Sequence, residues 1–244
     1  MAYRGHSVLP PSSADKWMVC TGWRQAVRHL PSRSSIYAQE GVRAHELLEM
    51  ALRLELSPDE LTEDKELAEA VGHVIDWLTQ YLVHNPKAKW WIEHSVPWGL
   101  VIGQPTLTGT SDLVVVSDDE LTVLDYKHGA GIMVDPAESK QLRIYLLGLI
   151  KKYGRRERYQ VIVVQPRVRH IDGPVRICRI THEEIKAFAR EVKTAAEANL
   201  RGTGERHAGE HCRFCQAAPT CKALARFSLE AAMREFDPAI LDAG

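Results

Sequence analysis

The sequence predicts an α/β fold in which a mixed central sheet is flanked by helices. Two β-type runs, Leu113–Val116 and Leu121–Lys127, are separated by a short polar segment, as in a hairpin. Apolar residues at helical spacing in residues 39–56 predict an amphipathic helix. A further helix connects the hairpin to the apolar run Gln160–Val164, and such a crossover normally returns the chain to the same sheet.

The remaining elements follow from local signals along the chain. Serine side chains at residues 12 and 13 can cap a helix, and the pattern Thr181-x-x-Glu184 is a capping box. In chain order we expect a short helix through Trp17 and Cys20, a helix from Glu60 to about His84, an extended segment from Trp90 to Val101, and a long helix that begins after Thr181 and ends near Leu200.

Composition indicates an ordinary globular protein. The 244 residues are 45% hydrophobic and 26% charged, with a net charge of -1. The length suits one domain over residues 1–244, since the motifs described below span the whole chain. No apolar run is long enough for a membrane span, and the N-terminus lacks a secretory signal. We therefore expect a cytoplasmic protein without a membrane partner, and a reducing compartment would suit its cysteines as metal ligands.

The predicted hairpin brings two carboxylates together. If Val116 pairs with Leu121, antiparallel counting places Asp112 opposite Asp125, and the period of two puts Lys127 on the same face as Asp125. Facing like charges destabilise a sheet unless a cation bridges them, and carboxylate oxygens favour Mg²⁺ or Mn²⁺. The alternative is an exposed acidic hairpin whose lysine relieves the repulsion.

Two helices carry further polar candidates. His45 lies on the apolar side of its helix, where it is either a core residue or a nitrogen ligand. Gln141 and Tyr145 are four residues apart, so they are neighbours on one helix face.

Four motifs follow one another along the chain: Gly41-x-x-x-His45, Gly109-x-x-Asp112, Asp125-Tyr126-Lys127 and Gln141-x-x-x-Tyr145. In this order they resemble the motifs of the RecB-like branch of the PD-(D/E)XK nuclease superfamily. The resemblance implies a restriction-endonuclease-like fold with Mg²⁺ or Mn²⁺ held by the side chains of His45, Asp112 and Asp125 and the carbonyl of Tyr126. It also implies that Lys127 is the catalytic lysine, and that Gln141 and Tyr145 either support the site or contact DNA.

Four of the five cysteines form a second pattern. Cys212, Cys215 and Cys221 lie in a loop-like stretch, and Cys20 would have to reach them from the other end of the chain. This arrangement resembles the iron-sulfur type of RecB-like nuclease, including CRISPR-adaptation exonucleases and the AddB nuclease domain. It implies a [4Fe-4S] cluster that clasps the N- and C-terminal segments, although four thiolates also suit Zn²⁺. In a zinc alternative, His207 and His211 are ligands.

The fifth cysteine, Cys178, lies in a predicted strand, where we expect it to pack as a small apolar residue.

A basic cluster follows the Gln141 helix and is a candidate DNA-binding surface. Its members are Lys151, Lys152, Arg155, Arg156 and Arg158. Beside the active site they would attract a nucleic-acid backbone, whereas the alternative is a solvated helix end. Tryptophans such as Trp90 and Trp91 could stack on unpaired bases, although such residues more often fill a core.

The predicted function is a DNA exonuclease that acts in phage or bacterial recombination or repair. A single-strand annealing or single-strand-binding protein is a possible partner, and the chain could form a homo-oligomer. The alternatives are an endonuclease on the same fold, an inactive nucleic-acid-binding subunit, and a zinc-stabilised interaction protein. The sequence has no Gly-x4-Gly-Lys-Ser/Thr phosphate loop, so any unwinding would depend on a partner or on degradation itself.

Overall fold

The computed structural model of the chain describes residues 7–31 and 36–235. The helices are α1 (Ala14–Trp17), α2 (Trp23–Val27), α3 (Ile36–Leu54), α4 (Pro58–Leu61), α5 (Lys65–His84), α6 (Lys140–Tyr153), α7 (His182–Arg201) and α8 (Lys222–Glu235). The strands are β1 (Lys89–Val96), β2 (Gly109–Val116), β3 (Glu120–Tyr126), β4 (Arg158–Val164) and β5 (Val175–Arg179). Short 3₁₀ segments lie at Pro11–Ser13, Trp98–Ile102, Glu210–Phe214 and Ala218–Thr220.

The described chain divides into two compact units, each made of two separate segments. The first contains residues 7–11 and 36–189, and the second contains residues 12–31 and 190–235. The first unit holds all five strands, whereas the second holds α1, α2, α8 and most of α7. One functional domain spanning both units stays a prediction.

The five strands form one mixed sheet in the order β1-β2-β3-β4-β5. Three neighbouring pairs are antiparallel, and β3 with β4 is parallel. The connection from β3 to β4 contains α6, so it is the predicted crossover. The expected α/β architecture, a mixed sheet flanked by helices, is confirmed.

The core of the first unit forms where α3 and α5 meet the sheet. Leu48 and Val71 come from these helices, and Leu113, Leu124 and Ile162 come from three adjacent strands. All five side chains are fully buried. Separately, α6 packs against β1, β3 and β4. Burial of this apolar surface is the main favourable term in folding, and it holds the strand ends that carry the polar candidates.

Two of the predicted helix and strand boundaries are wrong. The helix expected from Glu60 is two helices, because Ser57 and Glu60 form a capping box on α4 and Asp64 separately caps α5. The extended segment expected to reach Val101 leaves the sheet after Val96 and becomes a 3₁₀ turn.

The other helix predictions differ in their success. The short N-terminal helix ends at Trp17, before Cys20. The capping box that opens α7 is confirmed, since the backbone N–H of Thr181 donates to Glu184 at 2.8 Å and the N–H of Glu184 donates back to the Thr181 hydroxyl at 3.2 Å. Within the described part of the chain, no helix is both long and apolar enough to cross a membrane.

Candidate active site

The hairpin has the predicted register. Val116 pairs with Leu121 and Leu113 pairs with Leu124, so one further step places Asp112 level with Asp125. The backbone N–H of Tyr126 donates to Oδ2 of Asp112 at 2.6 Å. This bond fixes one oxygen of the Asp112 carboxylate and leaves the other oxygen available.

A third carboxylate, Glu93, comes from the neighbouring strand β1. Its flanking residues Ile92 and His94 pair with Leu113 and Ser111, which leaves Glu93 level with Asp112. Glu93 has φ of 50°, a left-handed conformation that residues other than glycine seldom adopt. Such backbone strain is concentrated at functional sites. Three adjacent strands therefore each contribute one acid at the same level of the sheet.

Helix α3 brings His45 to these acids. Its Nδ1 lies 3.4 Å from Oδ1 of Asp112 and 4.0 Å from Oε1 of Glu93. A ring nitrogen of His45 and one carboxylate oxygen from each of Glu93 and Asp112 all lie within 4.8 Å of one another. The imidazole also contacts Tyr126, through a hydrogen bond to its backbone and an edge-on ring contact at 5.6 Å. The predicted backbone ligand is thus adjacent to His45.

The electrostatics of the cluster favour a bound cation. Burial raises the pKa of Asp112 well above its usual range, and the nearby charges of Asp125 and Glu93 raise it further. Burial lowers the pKa of His45, which leaves the imidazole neutral and able to ligate. A divalent cation would offset the repulsion between the acids, and a set of carboxylates with one imidazole fits Mn²⁺ or Mg²⁺.

Lys127 lies beside the acids and is held there by Asp125 and Gln141. Its Nζ lies 3.0 Å and 3.1 Å from the two carboxylate oxygens of Asp125. Burial alone would lower the pKa of Lys127, but attraction to Asp125 and Asp112 outweighs it and the pKa is raised. The lysine is therefore a fixed cation, and its side chain remains 34% exposed at the surface of the site.

Helix α6 supplies the amide and phenol predicted from its sequence. Nε2 of Gln141 donates to Asp125 at 3.1 Å and to the Tyr145 hydroxyl at 3.4 Å, and its Oε1 accepts from Lys127 at 3.5 Å. Gln141 thereby orients both the carboxylate and the lysine. Glycine at position 109 is required for this packing, since a Cβ there would lie 2.7 Å from the Tyr145 ring.

Gln165 and Arg176 are buried side chains that hold the loop between Lys127 and α6, and the sequence analysis did not identify them. Gln165 donates to the carbonyls of Gly129 and Ile132 at 3.0 Å and 2.7 Å, and its Oε1 accepts from the N–H of Val134. The same Oε1 accepts from the Arg176 guanidinium at 2.6 Å. Gln165 is 2% exposed and Arg176 is 5% exposed. Their positions directly after β4 and within β5 were the only sequence signals of this role.

The basic cluster is split between two places. Arg156 donates to the carbonyl of Ser117, and Arg158 forms ion pairs with Asp119 and Glu120. These contacts place both arginines at the turn of the hairpin, the opposite end from Asp112. Lys152 instead contacts His94 on β1 at 2.9 Å. DNA binding by Lys151, Lys152, Arg155, Arg156 and Arg158 stays a prediction.

The second unit contains all four predicted cluster cysteines, but a four-sulfur site is not shown. The cysteine side chains are free thiols, and no close group of three or more potential ligands among the described residues includes a cysteine. Burial raises the pKa of the Cys20 thiol, and the charges of Cys215, Cys212 and Cys221 raise it further. The [4Fe-4S] cluster and its zinc alternative stay predictions.

Cys178 lies in β5, the strand predicted for it, and is partly buried.

Two solved structures have limited similarity to this chain. One is a crystal structure of a "Putative exonuclease" from Eubacterium rectale, with 10% identity, a TM-score of 0.48 and coverage of 86% of both chains. The other is the protein named SSO0001, with 17% identity and a TM-score of 0.35, which covers 85% of this chain and 95% of the other. A family model described as "Protein of unknown function (DUF2800)" matches residues 6–242, and the chain therefore belongs to the DUF2800 family.

Proposed function

We propose that this protein is a divalent-metal-dependent nuclease that hydrolyses DNA phosphodiester bonds from DNA ends. The observation that carries the proposal is the convergence of His45, Glu93 and Asp112 within 4.8 Å, directly beside the Asp125–Lys127 pair. A purely structural role would not require an imidazole and three acids at one level of a sheet, since like charges there destabilise it.

The donor atoms of His45, Glu93, Asp112 and Asp125, with the Tyr126 carbonyl, would hold Mg²⁺ or Mn²⁺. A bound divalent ion supplies positive charge that polarises a phosphoryl oxygen and lowers the pKa of a coordinated water. The protein's contribution is to fix the carboxylates before substrate arrives, through the Tyr126 N–H to Asp112 and the Gln141 amide to Asp125.

Lys127 would act on the phosphate. A raised pKa keeps its ammonium charged at neutral pH, and the partial exposure of its side chain lets it reach a substrate oxygen. Gln141 aligns Lys127, and Tyr145 in turn contacts Gln141. A fixed cation at this position stabilises the negative charge that develops on the phosphoryl oxygens during hydrolysis.

The resemblance to RecB-like nucleases supports attack from DNA ends and a role in phage or bacterial recombination or repair. The test uses linear duplex labelled at either the 5′ or the 3′ end, linear single strands and closed circles, each with Mn²⁺ or Mg²⁺. We expect loss of linear DNA only, with polarity given by the label released first. Cleaved circles would establish an endonuclease, and binding without any cleavage would favour an inactive subunit.

We propose separately that Cys20, Cys212, Cys215 and Cys221 hold a [4Fe-4S] cluster in the second unit. The support for this proposal is the resemblance to iron-sulfur RecB-like nucleases, together with the place of all four cysteines in one compact unit. Anaerobically purified protein should contain iron and acid-labile sulfide. Stoichiometric zinc with neither of these would establish the alternative metal.

A further inference from the structure

An aromatic cluster lies on the edge strand β1, close to the candidate active site. Trp91 and His94 come from β1, and Tyr153 ends helix α6. The rings of Trp91 and Tyr153 are stacked, with centroids 5.5 Å apart and planes 16° apart, and His94 lies 5.3 Å from Trp91. All three side chains are partly exposed. These three residues and Lys152 are called the edge platform below.

Lys152 adds a cation to the aromatic surface. Its Nζ lies 2.9 Å from Nε2 of His94 and 5.2 Å from the centroid of the Tyr153 ring. The Tyr153 hydroxyl also lies 3.1 Å from the same nitrogen of His94. An ammonium has three N–H donors, so the contact with His94 leaves two that can reach an anion. The edge platform thus combines ring faces with a charge that can contact phosphate.

The edge platform lies on the same strand as one of the acids of the candidate active site. Glu93 lies between Trp91 and His94 in the same strand. Two residues of a β-strand span about 7 Å, and stacked nucleotides rise about 3.4 Å each. A base held by Trp91 would therefore lie about two nucleotides from the carboxylate row.

We propose that the edge platform binds an unpaired nucleotide of a single-stranded DNA segment, with the base stacked on the aromatic rings and its phosphate contacted by Lys152. This inference rests on the proposed nuclease function and narrows its substrate to DNA with a single-stranded end or flap. Successive bases stack on aromatic side chains without sequence preference, because every base has a π face.

The test measures binding of a short fluorescein-labelled oligothymidylate by fluorescence anisotropy in EDTA, where metal-dependent cleavage is absent. We expect Trp91→Ala to weaken binding about tenfold without changing the salt dependence, and Trp91→Phe to retain most of the affinity. Lys152→Gln should reduce the slope of log affinity against log salt by about 0.7, the value for one phosphate contact on a single strand.

Two matched controls separate the edge platform from general effects. Lys186→Gln removes the same charge at an exposed position on α7, and it should leave the salt slope at the wild-type value. Trp77→Ala disrupts another aromatic pair, Trp77 with Tyr81 at 5.3 Å, and should leave oligothymidylate affinity unchanged. Thermal unfolding of every variant shows whether weaker binding reflects loss of structure.

The outcomes distinguish this inference from the nuclease proposal. Unchanged binding by Trp91→Ala and Lys152→Gln, or no binding of single strands by the wild type, would overturn the edge platform even if the wild type hydrolyses DNA. If Trp91→Ala weakened the binding of blunt duplex as much as the binding of single strands, the inference would also be overturned, because a duplex end offers no unpaired base. Failure of the wild type to hydrolyse any DNA would remove the nuclease proposal, while the binding data would still decide the role of the edge platform.

Discussion

At the scale of residues, the site is defined by one carboxylate on each of three adjacent strands. Asp112 and Asp125 could be predicted as a facing pair because a short hairpin fixes its own register. Glu93 could not, since its place beside Asp112 depends on the pairing of β1 with β2, whose strands are connected by a longer segment. The available signal was an acid directly after the aromatic and apolar run Trp90–Ile92.

Ionisation of the buried Asp112 carboxyl should lower the free energy of unfolding. Its raised pKa means that the folded protein holds this proton more tightly than the unfolded chain does, so stability falls as pH rises toward that pKa. In EDTA at neutral pH, Asp112→Asn should therefore be as stable as the wild type or more stable by about 1 kcal/mol. Addition of Mn²⁺ should stabilise only the wild type. Urea unfolding measures both effects, and a marked loss of stability in EDTA would contradict this explanation.

Glu93 should be a metal ligand, although the sequence did not assign it. Glu93→Gln keeps the shape of the side chain and removes its charge, so Mn²⁺ affinity should fall at least about tenfold in a calorimetric titration. Glu183→Gln is a matched control, because it makes the same change at an exposed position on α7. Equal Mn²⁺ affinities for the two variants would exclude Glu93 from the centre.

At the scale of elements, the sequence predicted helix and strand identities better than their ends and neighbours. The α7 capping box was readable because both partners lie within four residues. The division between α4 and α5 was missed, although Ser57 and Asp64 are both good caps. The ion pairs of Arg158 with Asp119 and Glu120 at the hairpin turn are long-range contacts, which local patterns do not predict.

The loop between Lys127 and α6 should depend on Gln165. Gln165→Ala removes three loop contacts and one partner of the buried Arg176, which should lower stability by about 2 kcal/mol. DNA hydrolysis should also fall, because this loop connects Lys127 with Gln141. Urea unfolding and initial hydrolysis rates, compared with Gln80→Ala on the exposed surface of α5, check both expectations. Wild-type rates in the Gln165 variant would show that the loop does not position the site.

At the scale of the whole molecule, the sequence predicted the mixed sheet and the crossover, but not the division into two discontinuous units. The division depends on which segments contact each other at long range, and local patterns carry little of that information. The cysteine pattern nevertheless predicted which distant segments share a unit, since Cys20 and Cys212–Cys221 lie in the second one.

If the four cysteines hold a metal cluster, Cys215→Ala should destabilise the second unit and reduce the iron content. Metal binding by thiolates contributes directly to the folding free energy, so the variant should unfold at a lower temperature. Cys178→Ala is the matched control and should keep the wild-type iron content, because Cys178 lies in β5 of the first unit. Identical iron content and unfolding temperature in the Cys215 variant would contradict the cluster.

The most direct test of the nuclease proposal is hydrolysis of end-labelled linear duplex DNA with Mn²⁺ by the wild type, Asp125→Asn and Lys127→Ala, purified in parallel. We predict that the wild type releases labelled nucleotides and that both variants, although folded by circular dichroism, release none above the EDTA control. Retained hydrolysis by either variant, or none by the wild type, would contradict the assignment of this site as a nuclease centre.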